Sequence, residues 1–303
     1  MSIQAKIKRF YLIIEKIGNS KFSPTFNEIK GHLEDQGLKL SHRTLQRDIE
    51  ILRDEFGLKI DYDKIQNVYR LDEENSYRLD SFLKILNTAL TAEILVENLK
   101  DIHNLGDYIQ LQNEINLKGL ENLKSLLFAV HSHRVIHFDY TPFYREKAKQ
   151  HTVEPYLLKE YMGRWYVIGI DTDINEFRIY GIERIEMLEV STRQFVRNEK
   201  SDPKQLFDHV VGLNFNYADI EEVILNVTPI QWRYIKTQPI HKSQELIRES
   251  ESEYIVRLTL IPNYEFIQRI LMNASGVHVI KPLWLREKVI ELLRETLKRY
   301  EDE

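Results

Sequence analysis

The sequence contains no cysteine. That excludes disulfide frameworks, thiolate zinc sites and cysteine nucleophiles, and it fits a cytoplasmic protein. No apolar run approaches the roughly 18–20 residues that a membrane-spanning helix needs. The opening "MSIQAKIKRFYLIIEKIG" reads as an amphipathic helix, with neither the apolar core nor the small-residue cleavage site of a secretory signal. Glycine and proline are sparse, at 11 and 8 of 303 residues, and no Gly-rich loop with a Lys-Ser/Thr pair is there to cradle a phosphate. No serine sits in a nucleophile elbow. His131, His133 and His137 lack the carboxylate pattern that would complete a metal site. The expectation is a chain that is not an enzyme and holds no metal or cofactor.

Net positive charge is missing too. The formal charge is −5, so the chain as a whole is not built to bind a polyanion. The charge is unevenly spread, however. Met1–Leu71 carries 13 Lys and Arg against 10 Asp and Glu, which leaves a mildly basic end on an acidic body. Contact with nucleic acid is thereby confined to that end.

Hydrophobic periodicity supplies the architecture. Ile3, Ile7, Phe10, Tyr11, Ile14 and Ile17 step by mostly three or four and predict a helix. Phe26, Ile29 and Leu33 mark a second, ending near Gly37. Leu45, Ile49, Leu52 and Phe56 mark a third, capped by Ser41 and ended by Gly57. Alternation at Leu58, Ile60 and Tyr62, then at Tyr69 and Leu71, around the polar "DKIQN" predicts a β-hairpin. This order describes a winged helix-turn-helix. Residues 78–103 read as a long connecting helix, "LGDYIQLQN" as a short strand, and residues 117–132 as another helix. From Arg134 to about Val196, five strands at hairpin spacing predict a small curled sheet or barrel. The last hundred residues alternate helix and strand. Their segments are "DPKQLFDHVVGL", "IEEVILNVT", "PIQWRYIKT", "YIVRLTLI", "NYEFIQRILMNA", "GVHVIKP" and the final "LWLREKVIELLRETLKRYEDE".

With Leu45, Ile49 and Leu52 turned inward, Arg43 and Arg47 share the outer face of the third helix, four apart, with Gln46 beside them. Arg can fork to guanine and Gln to adenine, and either can grip phosphate. Ser41 and Thr44, at the helix N-terminus, suit a phosphate. Lys59, Lys64 and Asn67 of the hairpin suit the backbone or the minor groove. The same residues also fit a solvated amphipathic helix with no partner, and spacing alone leaves both readings open.

"SHRTLQRDIEIL" resembles the S-x-R-T-x-x-R-D-x-x-x-L recognition helix of bacterial winged-helix regulators of the DeoR-like type, matching at Ser41, Arg43, Thr44, Arg47, Asp48 and Leu52. The resemblance implies a helix lying in the major groove, with Ser41, His42, Arg43, Thr44, Gln46, Arg47 and Lys64 as DNA-binding residues. Asp48, whose charge DNA would repel, orients its neighbours. "VEPYLLKEYMGRWYVIGID" resembles the signature of WYL domains. Trp165, Tyr166 and Val167 stand in the naming motif, Pro155 and Tyr156 precede it, and Arg178, Tyr180, Ile182, Arg184 and Ile185 follow in "FRIYGIERI". Val167 replaces Leu and Glu183 replaces Asp. Gly181 and His151 stand where Arg is common, and both changes reduce fixed positive charge. The resemblance implies a small Sm-like β-barrel that senses a nucleotide or nucleic-acid-like anion through Tyr140, His151, Tyr156, Tyr166, Arg178 and Arg184. Alternation sends Trp165 and Val167 to one face, the core, and Tyr166 to the other. Residues of about 200–303 resemble, by order and position, the WCX extension that follows such domains.

The expected fold class is α+β multidomain. A winged helix-turn-helix spans 1–71, a helical linker 72–133, a WYL barrel 134–198 and a WCX-like α+β domain 199–303. The expected function is that of a ligand-responsive DNA-binding transcriptional regulator, a repressor. It would act as a cytoplasmic homodimer on double-stranded operator DNA with inverted-repeat symmetry, with a nucleotide or single-stranded nucleic acid as effector and no membrane partner. The alternative is a nucleic-acid-binding accessory module that modulates a partner enzyme.

Overall fold

Thr25 and Ser41 set the register of the first helices. Each side chain accepts a hydrogen bond from the backbone N–H three residues on, and Thr25 forms a full capping box with Glu28. In the computed structural model, which describes residues 3–18, 23–72, 79–99, 118–144, 147–198, 203–215 and 219–301, these caps open α2 (Phe26–Asp35) and α3 (His42–Asp54). They follow α1 (Ile3–Gly18). Gly37 ends α2 in the left-handed region at φ +80°, where a Cβ would be strained, and Leu38 N–H closes back onto the Leu33 carbonyl at 2.9 Å. β1 (Ile60–Asp63) and β2 (Val68–Leu71) form the antiparallel hairpin, with Ile60 opposite Leu71. α4 (Leu79–Leu99) adds Leu79, Phe82 and Leu86 to a core made by Phe10, Ile13, Ile29, Leu33, Leu45, Leu52 and Leu58. The predicted connecting helix is thus present over 79–99, and the rest of its predicted span, 100–103, lies outside the described residues. The predicted strand in "LGDYIQLQN" lies outside the described residues. These elements belong to the first of two compact units, Met1–Leu111; the second is Gln112–Glu303.

The second unit begins with α5 (Leu120–His131), the helix predicted over 117–132. Five strands follow: β3 (Arg134–Tyr140), β4 (Lys149–Tyr161), β5 (Arg164–Asp171), β6 (Glu176–Gly181) and β7 (Ile185–Gln194). Their order is β6-β5-β4-β3-β7, antiparallel throughout. Both faces are covered. Leu126, Phe138, Val153, Val167, Tyr180 and Ile182 fill one side, and Val135, Tyr156, Ile168, Phe177, Phe195 and Phe215 fill the other. The expected barrel is not closed among the described residues. β6 and β7 remain the two edges of the sheet, bridged by the 3-10 turn Ile182–Arg184 instead of by a ladder of hydrogen bonds. Asn122 of α5 ties down the far side of this turn through the Ile185 carbonyl.

The remainder holds α6 (Pro203–Phe207), β8 (Glu221–Val227), α7 (Pro229–Thr237), β9 (Glu245–Glu249), β10 (Tyr254–Leu260), α8 (Tyr264–Leu271), β11 (Val277–Lys281) and α9 (Leu283–Glu301). The sheet order is β11-β8-β10-β9. Ile235, Phe266, Ile270, Leu285 and Val289 from three helices cover Val223, Leu225, Val256, Leu258 and Val279 of the sheet. Two expectations fail here. The helix predicted over "DPKQLFDHVVGL" is only five residues long, and β9 has no counterpart in the sequence reading. Among the described residues, no helix is long and apolar enough to cross a membrane.

Candidate nucleic-acid interface and candidate ligand site

α3 is seated by an ion pair. Arg9 of α1 and Asp48 of α3 are only 5% and 3% exposed. They meet in a forked contact, Nε to Oδ2 at 2.5 Å and Nη2 to Oδ1 at 3.2 Å. Asp48 therefore orients α3 from its buried side, through Arg9, instead of steering the outer arginines. On the outer face Arg43, Gln46, Arg47 and Glu50 are exposed, and Gln46 donates to Glu50 at 3.4 Å. Arg43 and Arg47 form no ion pair among the described residues. Ser41 Oγ lies 2.9 Å from Thr44 Oγ1 and accepts from Thr44 N–H, so the two hydroxyls already hold one another at the helix start. The His42 ring stacks on Phe26, centroids 4.1 Å apart. Arg53, which sequence reasoning left unassigned, ties the helix to the hairpin by donating to the Ile60 carbonyl at 2.6 Å. Lys64 is exposed at the hairpin tip. The structure thus gathers all seven expected DNA-binding residues within one unit, on α3, its cap and the following hairpin.

The six expected ligand residues divide. Tyr140, His151 and Arg184 come together on the α5 side of the sheet. His151 Nδ1 donates to Asp171 Oδ2 at 2.7 Å, and Tyr180 donates its hydroxyl to the same oxygen at 2.6 Å. The rings of Phe138 and Tyr140 flank the His151 and Tyr180 rings at centroid distances of 5.0–6.1 Å. Arg184 lies over the Tyr140 ring at 5.1 Å and over Phe143 at 4.0 Å. Gly181 abuts this guanidinium: a Cβ there would come within 2.6 Å of Arg184 Nη2, so a larger residue would have to displace the ends of the Arg184 and Glu183 side chains. Arg178 is exposed at the β6 edge. Tyr156 and Tyr166 are not part of this cluster. Tyr156 is buried against Phe177 and Phe195 in the opposite layer, beneath Arg197, and Tyr166, half-buried, borders that same layer, on the face opposite Trp165 and Val167 as alternation predicts.

Each of the three cations expected at the ligand site has a carboxylate beside it. His151 faces Asp171, Arg178 faces Glu176 at 2.8 Å, and Arg184 faces Glu183 at 3.3 Å. The last contact lacks hydrogen-bond geometry, leaving Glu183 Oε1 and Arg184 Nε buried without a hydrogen-bond partner. Burial alone would raise the Asp171 carboxyl, but hydrogen bonds from Tyr180 and His151 prevail and hold it below the usual carboxylate range. Burial, followed by the neighbouring Asp171 carboxylate, pushes the Tyr180 phenol upward. Asp171 and Phe143 are the members that sequence reasoning missed. The available signal was a carboxylate ending the apolar run "YVIGID".

A depressed folded-state pKa contributes stability that is present above the unfolded value and lost as pH falls through the folded one. Wild type is therefore expected to lose this contribution as pH drops below about 4. Asp171→Asn should be less stable at neutral pH by about 1.5–3 kcal/mol, the range for hydrogen bonds to a charged group, and flatter in acid. Urea unfolding at several pH values checks both. Parallel wild-type and variant curves would rule out the role given to Asp171.

Residues 121–190 match the WYL domain and residues 219–297 match the WCX domain. The chain therefore carries two of the expected modules in the expected order. No match is found among curated proteins. Among solved structures, proteasome accessory factor B/C (PafBC) of Arthrobacter aurescens matches at 16% identity with a TM-score of 0.32, covering 96% of this chain and 46% of that one. This chain thus spans about half the length of that relative. A CRISPR Cas-related protein matches at 12% identity with a TM-score of 0.37, covering 98% and 85%. At these scores neither likeness extends to a shared arrangement of the modules.

Proposed function

We propose that this chain is a DNA-binding transcriptional regulator, a repressor, with an N-terminal winged helix-turn-helix and a WYL domain that senses a nucleotide or nucleic-acid-like anion. The observation that carries the reading is a contrast between two sets of cations. Arg43 and Arg47 stand exposed on a capped helix and form no ion pair among the described residues, whereas His151, Arg178 and Arg184 of the WYL domain each lie beside a carboxylate. Unpaired arginines four apart on a rigidly seated helix suit base edges and phosphates of a duplex. The β3–β7 sheet, with its preceding helix and bridging 3-10 turn, is read as an Sm-like sheet left open. An anionic effector there has to replace Glu183 or Glu176 at the arginines. Arg184 is the favoured point of entry, because its contact with Glu183 is poorly formed and its guanidinium is sandwiched by Tyr140 and Phe143. Replacing a carboxylate by ligand links occupancy to a local rearrangement, which is what a sensor requires.

The test is selection from a random duplex library by the full chain. The expected result is an enriched inverted repeat with half-sites about one helical turn apart, or a multiple of it, as a homodimer would read. Absence of any enriched duplex, with retention of single strands instead, would replace this reading with that of an accessory nucleic-acid-binding module.

A further inference from the structure

The tip of the β1–β2 hairpin displays Ile65, which is 97% exposed, more than any other large apolar side chain among the described residues. Turn positions are ordinarily taken by Gly, Asn, Asp or Ser, and a β-branched apolar residue contributes nothing to the hairpin there. The turn around it is nevertheless firmly built. The Asp63 carboxylate accepts from Ile65 N–H at 2.9 Å and from Gln66 N–H at 3.0 Å, and these two bonds hold its carboxyl below the usual range. Asn67 takes the left-handed conformation, φ 56°, and its side chain accepts from the Tyr62 hydroxyl at 2.7 Å. Arg70 donates to Gln66 at 2.5 Å, and the Tyr62 and Tyr69 rings lie 5.0 Å apart beneath the tip. Ile65 is thus held out in water on a turn that needs no further ordering, and the exposed Lys64 precedes it in the chain.

We propose that Ile65 is an apolar wedge that enters the minor groove of the duplex contacted by α3, opens a base step and bends the DNA. Lys64 meets the adjoining phosphate. This inference rests on the reading of α3 as the recognition helix. The chemistry is general: branched apolar side chains inserted at a base step unstack it, and the duplex bends away from them by about 20–90°. A preorganised wedge avoids the cost of ordering a loop on binding. Position fits as well, since Arg53 fixes the start of β1 to the C-terminal half of α3, so the hairpin projects from the body that carries Arg43 and Arg47.

The experiment uses duplexes recovered from the random library, end-labelled with a fluorescent donor and acceptor. Affinity and end-to-end distance are measured for wild type, Ile65→Ala, Ile65→Met, Ile65→Lys and the Arg43→Ala/Arg47→Ala double variant. Ile65→Ala is expected to bind about ten-fold more weakly and to leave the duplex nearly straight, with an unchanged salt dependence, because no cation is removed. Ile65→Met should keep the bend, and Ile65→Lys should lose it despite the added charge. The side chain is fully solvated, so thermal unfolding should not change. A wild-type bend with Ile65→Ala, whatever its affinity, overturns the wedge. If the double arginine variant fails to bind while Ile65→Ala binds and bends like wild type, the recognition helix stands and the wedge falls. If wild type recovers no duplex at all, both fall.

Discussion

Replacing Asp48 by Ala is expected to destabilise the Met1–Leu111 unit by about 3–5 kcal/mol, the usual cost of removing one partner of a buried ion pair. Arg9 and Asp48 are almost wholly enclosed, and their two contacts join α1 to the inner face of α3. The variant leaves a guanidinium in the core without the carboxylate it now faces, and desolvation of that charge accounts for most of the loss. Chemical denaturation should show an early transition for this unit while the rest of the chain unfolds as before. A paired change, Arg9→Met with Asp48→Leu, removes both charges and is expected to recover most of the stability. If Asp48→Ala unfolds like wild type, the pair does not seat α3.

Arg43→Ala and Arg47→Ala are each expected to weaken binding to a selected duplex by about 1–3 kcal/mol, or roughly 5- to 150-fold, if each guanidinium forks to a base. Neither side chain is engaged internally among the described residues, so neither change should alter folding. A base-reading arginine also relaxes preference at one position of the site, whereas a phosphate-gripping one weakens all sequences alike. Fluorescence anisotropy on the selected duplex and on its single-position variants separates the two roles. Unchanged affinity in both variants would remove α3 from the interface.

Much of the first unit could be read in the sequence because each element carried a local signal: the Ser41 cap, the Leu45–Ile49–Leu52 spacing, and Gly37 and Gly57 as stops. β9 carried none. All five residues of "ELIRE" are exposed, so an edge strand paired only to β10 shows no apolar alternation. The helix predicted over 202–213 stops at Phe207, and Val210 leaves it to fill, with Phe215, the sheet layer around Tyr156. The ligand cluster was half legible. His151 and Tyr156 are five apart on β4, and a period of two already sends them to opposite faces, a signal that the family resemblance overrode. The Asp171 carboxylate could not be assigned to His151 and Tyr180 without the register, because the three come from three strands. The open sheet was likewise hidden. Five strands at hairpin spacing suit a barrel and a bent open sheet equally, and only the missing β6–β7 pairing decides between them.

The central claim is that the solvent-facing cations of α3 meet the phosphates and bases of a duplex, and the salt dependence of duplex affinity tests it most directly. On a log–log plot the affinity of wild type should fall linearly as salt rises, with a slope of about −0.9 for each phosphate neutralised, and the Arg43→Ala/Arg47→Ala variant should bind far more weakly across the range. A flat profile for wild type, matched by that of the double variant, would contradict the account.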